Sequence, residues 1–172
     1  MVLRAVILTM VLCSFQAPLT EKYHKQVYKT IAKSFDSKNI DLKKERFSRG
    51  ELNQIIIDGV FKGYVFVAEV AACNLGGCTS YEKISDTKSS EYFDLLLVLN
   101  ESKTIKSIKI LDYFSDYGYE ITSKNYLKKF KGKQICEFKN ETDDIDAISG
   151  ATISSYALEG MIVMLCNRLD NH

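Results

Sequence analysis

The stretch EYFDLLLVLNESKTIKSIKILDY, residues 91–113, decides the fold of this chain. Its first ten residues are almost all apolar or aromatic, which is typical of a β-strand. In the second half, the isoleucines at positions 105, 108 and 110 alternate imperfectly with lysines, as in a half-buried strand. The stretch therefore predicts a pair of strands, residues 91–100 and 104–113.

Another strand pair is predicted upstream. Residues 51–57 (ELNQIII) and 63–72 (GYVFVAEVAA) are rich in β-branched and aromatic residues. Asp58 and Gly59 lie between them and mark a turn. Downstream, the sequence KQICEF at 133–138 predicts a further short strand.

Two helices are predicted on either side of these strands. Apolar residues recur at helical spacing through 19–35, and the charged stretch DLKKERFSRGEL, 41–52, is interpreted as a connector to the first strand. A second, short helix is capped by Thr122 or Ser123 and is ended by Gly132.

From Thr152 to Leu169 a long helix is predicted, with apolar residues on opposite sides, so that most of its circumference is buried. Runs of strands between helices, without regular alternation of one strand and one helix, indicate an α+β domain. The predicted fold is an antiparallel β-sheet packed with helices, and its long C-terminal helix follows the tetrapeptide SGAT.

Composition excludes several classes of function. A chain of 172 residues, 46% of them hydrophobic, corresponds to about one domain with a sizeable core. A net charge of +1 without an arginine-rich patch gives no reason to expect a nucleic-acid partner. The chain has two histidines, His24 and His172, and both lie near the termini. A catalytic triad and an HExxH zinc site both need histidine, so neither is expected. Chemistry is therefore expected to belong to a bound group, and no catalytic or metal-binding residue is predicted.

The N-terminus predicts export. Arg4 is followed by nine uncharged residues, Ala5 to Cys13, a length that suits the core of a signal peptide but does not span a bilayer. The alternative is that this segment is an N-terminal strand or helix of the core. Residues 1–20 are interpreted as the signal peptide and residues 21–50 as an N-terminal helix with its connector.

The tetrapeptide SGAT, Ser149-Gly150-Ala151-Thr152, stands where the strand-rich part gives way to the last helix, with Asp146 three residues ahead of it. Small residues leave room for a bulky group, and the amide N–H groups of a helix start favour an anion. Thr152 adds a hydroxyl beside that anion, and Ser154 and Ser155 add further donors. The pattern indicates a phosphate site that contains an alcohol; the alternative is that it only starts a helix.

The stretch DAISGATIS, residues 146–154, resembles the FMN-binding domain family, known from flavin subunits of the sodium-pumping NADH:quinone oxidoreductase and of Rnf-type complexes. It fits the family motif Asp-x-x-Ser/Thr-Gly-Ala-Thr-x-Ser/Thr at every fixed position. In that family a separate flavin transferase joins FMN to the last threonine through a phosphodiester. The resemblance therefore implies Thr152 as the attachment residue and Asp146, Ser149, Gly150 and Ala151 as the surrounding phosphate shell.

A second block, residues 112–133, also resembles the family, especially its small exported bacterial members. The resemblance implies that Gly118 is the turn glycine that approaches the flavin. A Thr-Pro step precedes this glycine in the respiratory subunits, whereas Asp116-Tyr117 stands here. Tyr117 and Tyr119 are candidates for stacking on the flavin ring, with core or surface roles as the alternative.

Together these features predict an exported flavoprotein, periplasmic or on the cell surface, with FMN on Thr152 and residues 51–172 as the FMN-binding domain. It is expected to carry electrons between an unidentified donor and an unidentified acceptor, either of which can be membrane-bound. It is also expected to be a substrate of a flavin transferase and not an autonomous enzyme. The alternatives are a non-redox structural or binding domain and an oxidoreductase with dissociable FMN.

The cysteines add one further prediction. Cys73 and Cys78 bracket a turn-forming NLGG stretch, and a local disulfide between them is predicted for an exported protein. Free thiols are the main alternative. Cys166 is interpreted as a buried apolar residue of the last helix.

Overall fold

The computed structural model describes residues 17–71, 91–115, 118–139 and 152–171, with the backbone alone at Thr152. Within these ranges one five-stranded antiparallel sheet has the strand order of the sequence. The strands are β1 (Ile40–Glu45), β2 (Glu51–Ile57), β3 (Val60–Ala71), β4 (Tyr92–Asn100) and β5 (Ile105–Phe114). The helices are α1 (Leu19–Lys22), α2 (His24–Phe35), α3 (Lys124–Lys128) and α4 (Thr152–Asp170), with 3-10 helices at Tyr119–Thr122 and Glu137–Lys139. The predicted α+β fold is confirmed, including the long C-terminal helix.

The sheet is organised around β4, which lies in the first half of the stretch 91–113. Every residue from Phe93 to Leu99 is buried, and β4 pairs with β3 on one side and β5 on the other. The β2–β3 hairpin turns at Asp58 and Gly59, where φ is +51° and +76°. Positive φ at both central residues is the requirement of a type I′ turn, so this predicted turn is confirmed.

Helices cover both faces of the sheet. Helix α2 packs through Val27 and Ile31 against one face, together with Leu96 and Val98 of β4. Helix α4 packs against the opposite face through a larger core that includes Phe66 of β3. The alternate residues of β4 thus contribute to two cores, which explains why this strand is apolar along its whole length.

Two predictions about individual elements are wrong. The charged stretch 41–52 is not only a connector, because β1 and the first residues of β2 lie in it. Its charges are compatible with a strand because β1 is at the edge of the sheet and mostly exposed. The stretch 133–138 is not a strand. A single bridge joins Thr104 to Gln134, after which the chain turns into the second 3-10 helix, where Phe138 is buried.

Carboxylates of the sheet hold the N-terminal helices in place. The Glu51 side chain accepts hydrogen bonds from the backbone N–H groups of Leu19 and Thr20 at the start of α1. Asp94, fully buried in β4, accepts a hydrogen bond from the Tyr23 hydroxyl and pairs with Lys22 at 2.9 Å. The same hydroxyl donates to Asp112 at 2.9 Å, and burial together with Asp94 and Asp112 raises the pKa of Tyr23. A buried charge is stable only when it is paired, so α1 and the start of α2 are part of the folded domain.

Cys166 is buried in α4, as predicted, and it also forms a covalent bond that the sequence did not predict. This buried residue of α4 is joined by a disulfide to Cys136, which precedes the second 3-10 helix. The spacing of 30 residues between the two gave no sequence signal comparable to a short Cys-x-x-Cys pattern. The pair Cys73 and Cys78 lies outside the described residues.

Candidate functional site

The first turn of α4 meets the turn that follows β5, on the sheet face covered by α4. Of the residues predicted for the site, the structure describes Gly118, Ser154 and Ser155, and it places Thr152 at the first position of α4. It brings Gly118 and Ser154 into direct contact. The remaining predicted residues, Asp146, Ser149, Gly150, Ala151 and Tyr117, lie outside the described residues.

Gly118 is required by both its conformation and its surroundings. Its φ is +80°, in the left-handed region that favours glycine. A Cβ atom there would lie 2.6 Å from the Ser154 Oγ and 2.8 Å from the Tyr113 hydroxyl. Gly118 therefore approaches α4 more closely than a residue with a side chain would allow. Its predicted role beside a bound flavin stays a prediction.

Tyr113, near the end of β5, connects this turn to α4. Its hydroxyl lies 2.9 Å from the Ser154 Oγ, within hydrogen-bond distance. Its ring stacks on Phe93 at 5.9 Å and contacts the ring of Tyr119 edge-on at 5.8 Å. Sequence reasoning missed this residue because Tyr113 continues the strand pattern and carries no motif of its own.

A second polar cluster lies deeper under the same helix. Ser155 and Glu159 of α4 are both buried, and they lie on the side of α4 that carries position 152, because residues three, four and seven apart share one face of a helix. The Tyr126 hydroxyl from α3 lies beside both of them. Burial raises the pKa of Tyr126 to about 12; Glu159 adds to this shift and Ser155 opposes it. A charged residue on a mostly apolar helix was the signal that could have found Glu159.

The outer side of the site is apolar and accessible. Tyr119, Ile153 and Tyr156 are exposed by 68%, 42% and 49% although each is large and apolar or aromatic. Two of them belong to the first two turns of α4, and Tyr119 follows Gly118 directly. Exposed aromatic and aliphatic groups of this kind suit contact with a planar ring or with another protein.

These features fit a phosphate-bearing aromatic cofactor. The first backbone N–H groups of a helix have no acceptor within the helix and favour an anion, and α4 is long enough, at 19 residues, to provide a full helix dipole. Buried serine hydroxyls lie in the first turn of that helix, and Gly118 packs closely against one of them, Ser154. The described side chains supply hydrogen bonds and shape, and the reactive chemistry would come from the bound group.

The described residues contain one group with metal-ligand spacing, formed by Cys136, Cys166 and Asp170. Its two sulfur atoms are joined in the disulfide, so they are not available as thiolate ligands. The Asp170 carboxylate is paired with Lys103 at 2.7 Å and with Lys139 at 3.0 Å, and both lysines lower its pKa. This group stabilises the far end of α4 and is separate from the site at its start.

Comparison with known proteins gives a matching family for the part of the chain that contains this site. Residues 91–164 match the FMN-binding domain, which includes β4, β5, the Gly118 turn and most of α4. No curated protein is significantly similar to the chain. Among the described helices, none has the length and apolar character needed to cross a membrane.

Proposed function

Since residues 91–164 belong to the FMN-binding domain family and the protein is accordingly a flavin-binding protein with FMN as its cofactor, we propose that it carries this FMN covalently on Thr152. We further propose that it acts outside the cytoplasm and transfers electrons between redox partners. Bound FMN supplies one- and two-electron redox chemistry, and the protein holds it, tunes it and leaves part of it accessible.

The observation that carries this proposal is the coincidence of motif and helix start. The sequence from Asp146 to Ser154 fits the family motif, and its threonine is the first residue of α4. In the proposed modification a bond forms between the Thr152 side-chain oxygen and the phosphorus of FMN. The hydroxyl proton is released, and the bond between that phosphorus and the remainder of the transferase's flavin donor breaks. This remainder leaves, and the FMN stays on Thr152.

The residues of the chain have distinct parts in this arrangement. The amide N–H groups at the start of α4 favour the phosphate charge. Gly118 permits close approach of the turn, and Ser154 is fixed by its contact with Tyr113. The exposed side chains Tyr119 and Tyr156 leave the outer side of the site open to a redox partner.

Export is supported by two independent features. The apolar segment after Arg4 has the length of a signal-peptide core. The disulfide between Cys136 and Cys166 belongs to the kind of bond that persists in oxidising compartments outside the cytoplasm and is rare inside it.

A mass measurement tests the attachment. When the protein is co-expressed with a flavin transferase in an exporting host, we expect it to gain the mass of one FMN less one water, located on the peptide that contains Thr152. Thr152→Val removes the hydroxyl at similar volume and should abolish the adduct. Thr104→Val, the same change at the start of β5, should leave it intact. An adduct that persists in Thr152→Val would refute the assignment.

The loaded protein then tests electron transfer. We expect dithionite to reduce it and small one-electron acceptors to reoxidise it reversibly, with little turnover of NADH, because the sequence contains no GxGxxG dinucleotide loop. Flavin that migrates away from the protein on a denaturing gel would indicate the oxidoreductase with dissociable FMN. A chain that never takes up flavin would indicate the structural alternative.

A further inference from the structure

The Tyr113 hydroxyl lies at a junction of three elements. It belongs to β5, lies 2.9 Å from the Ser154 Oγ on α4, and lies 2.8 Å from the place where a side chain at Gly118 would begin. Neither the motif nor the family match assigns this residue a role. Its position between the two segments that form the site suggests that it controls how they fit together.

The hydroxyl and the ring of Tyr113 have separable tasks. The ring stacks on Phe93 and meets the edge of Tyr119, so it belongs to the packing between strand and turn. The hydroxyl reaches α4 at the Ser154 Oγ. Removing only the oxygen atom should therefore release the first turn of α4 while the aromatic packing stays in place.

We propose that Tyr113 is a positioning residue of the flavin site, whose hydroxyl holds Ser154 and thereby fixes the first turn of α4 against the Gly118 turn. This inference rests on the proposed function in that the first turn of α4 carries Thr152, the proposed attachment residue. The ring of Tyr113 also packs edge-on against that of Tyr119. Tyr113 thus sets the distance between the phosphate end of the site and its exposed aromatic side.

Hydrogen exchange of the full-length protein without flavin tests the contact directly. In Tyr113→Phe, we expect amides in peptides covering 118–121 and 153–159 to exchange about fivefold faster, as the loss of one hydrogen bond allows. Ser154→Ala removes the same bond from the other side, so it should have a similar effect, and the double variant should exchange no faster than either single variant. If Tyr113→Phe does not fold, Ser154→Ala alone still tests the bond.

Tyr64→Phe is the matched control. Tyr64 is also a half-buried tyrosine packed on the α4 face of the sheet and in edge contact with another ring, Phe61 at 5.2 Å. Its hydroxyl makes no hydrogen bond to another described residue. The control should leave exchange in both peptides unchanged. Unchanged exchange in Tyr113→Phe, or effects of the two site variants that simply add, would overturn the proposal.

A spectroscopic measurement on the loaded protein separates this inference from the proposed function. We expect Tyr113→Phe to keep the covalent adduct but to change the flavin fluorescence yield and the midpoint potential relative to wild type and to Tyr64→Phe. Identical spectra and potentials in all three proteins would count against a positioning role. Retention of the adduct by Thr152→Val would refute the proposed attachment site. The hydrogen-exchange result for Tyr113→Phe does not depend on that outcome, because it is measured without flavin.

Discussion

At the scale of single residues, the structure gives a physical reason why position 118 is a glycine. The sequence identified a turn glycine by resemblance. The structure adds that a side chain there would overlap with atoms of Ser154 and Tyr113. Gly132 has a similar φ of +89°, but no atom lies within 4 Å of the place where its Cβ would be. Comparison of alanine substitutions at these two glycines therefore separates the free-energy cost of the backbone conformation from the free-energy cost of close packing.

We predict that Gly118→Ala lowers the free energy of unfolding by about 1–3 kcal/mol more than Gly132→Ala does, because only the first substitution forces packed atoms apart. Both substitutions share the cost of placing alanine in a left-handed conformation, roughly 1–2 kcal/mol. Urea denaturation of the two variants measures the difference. Equal losses would mean that the turn moves away from α4 without cost.

Other residues of the site could not be found from the sequence. Tyr113 and Tyr126 are aromatic residues among ten tyrosines, and nothing in their immediate neighbours distinguishes them. Their roles arise from contacts with Ser154 and Ser155, which are more than 25 residues away in the chain. A motif identifies residues that are close together in sequence, so this half of the site became visible only with the fold.

At the scale of secondary structure, the strongest patterns were read correctly. The strands β2 to β5 and the long helix α4 have clear runs or periodicity, and the structure confirms them. β1 was missed because an edge strand needs few apolar residues. The stretch 133–138 has the composition of a strand, but the turn after Gln134 and the disulfide at Cys136 lead it away from the sheet.

The disulfide is expected to stabilise α4, the helix that begins at the candidate site. It joins α4 near its C-terminal end to a segment 30 residues earlier. A closed loop of this length corresponds to a stabilisation of about 3–4 kcal/mol through the restricted unfolded chain. The bond therefore holds α4 at the end opposite to the site.

We predict that Cys136→Ser lowers the free energy of unfolding by about 3–4 kcal/mol under non-reducing conditions. The half-buried position of Cys136 makes serine a mild substitution, and the buried Cys166 stays in place. Chemical denaturation with and without reductant measures the effect. In reductant, the free energies of unfolding of the wild-type protein and of Cys136→Ser should differ by less than about 1 kcal/mol. The same difference with and without reductant would show that the bond is not formed.

At the scale of the whole molecule, the matched family region is not a complete folding unit. It begins at residue 91, but β4 is buried from Phe93 to Leu99 and its hydrogen bonds on one edge go to β3. Without β3, this apolar strand would expose a full row of backbone groups. The strands and helices that precede the match therefore complete the sheet and its second core.

For the proposed export, this organisation restricts where an N-terminal signal peptide can be removed. The Pro18 carbonyl accepts hydrogen bonds from the N–H groups of Glu21 and Lys22, and Glu51 binds the N–H groups that follow Pro18. Lys22 in turn pairs with the buried Asp94. Removal of these residues would leave the Asp94 carboxylate without its cation and would lower the stability of the domain. The processed chain is therefore expected to retain Pro18 and everything after it.

We predict that the mature protein begins between Ser14 and Pro18. N-terminal sequencing and intact mass of protein from an exporting host measure the position. Two shortened chains test the physical reason. One that begins at Ala17 should unfold like the exported protein, whereas one that begins at His24 should be less stable, because it lacks the Lys22 amine and the Tyr23 hydroxyl that bind Asp94. Asp94→Asn in the shorter chain removes the unpaired charge and should restore part of that loss. A mature chain that starts beyond Pro18, or an intact chain recovered from the cytosol, would contradict the prediction.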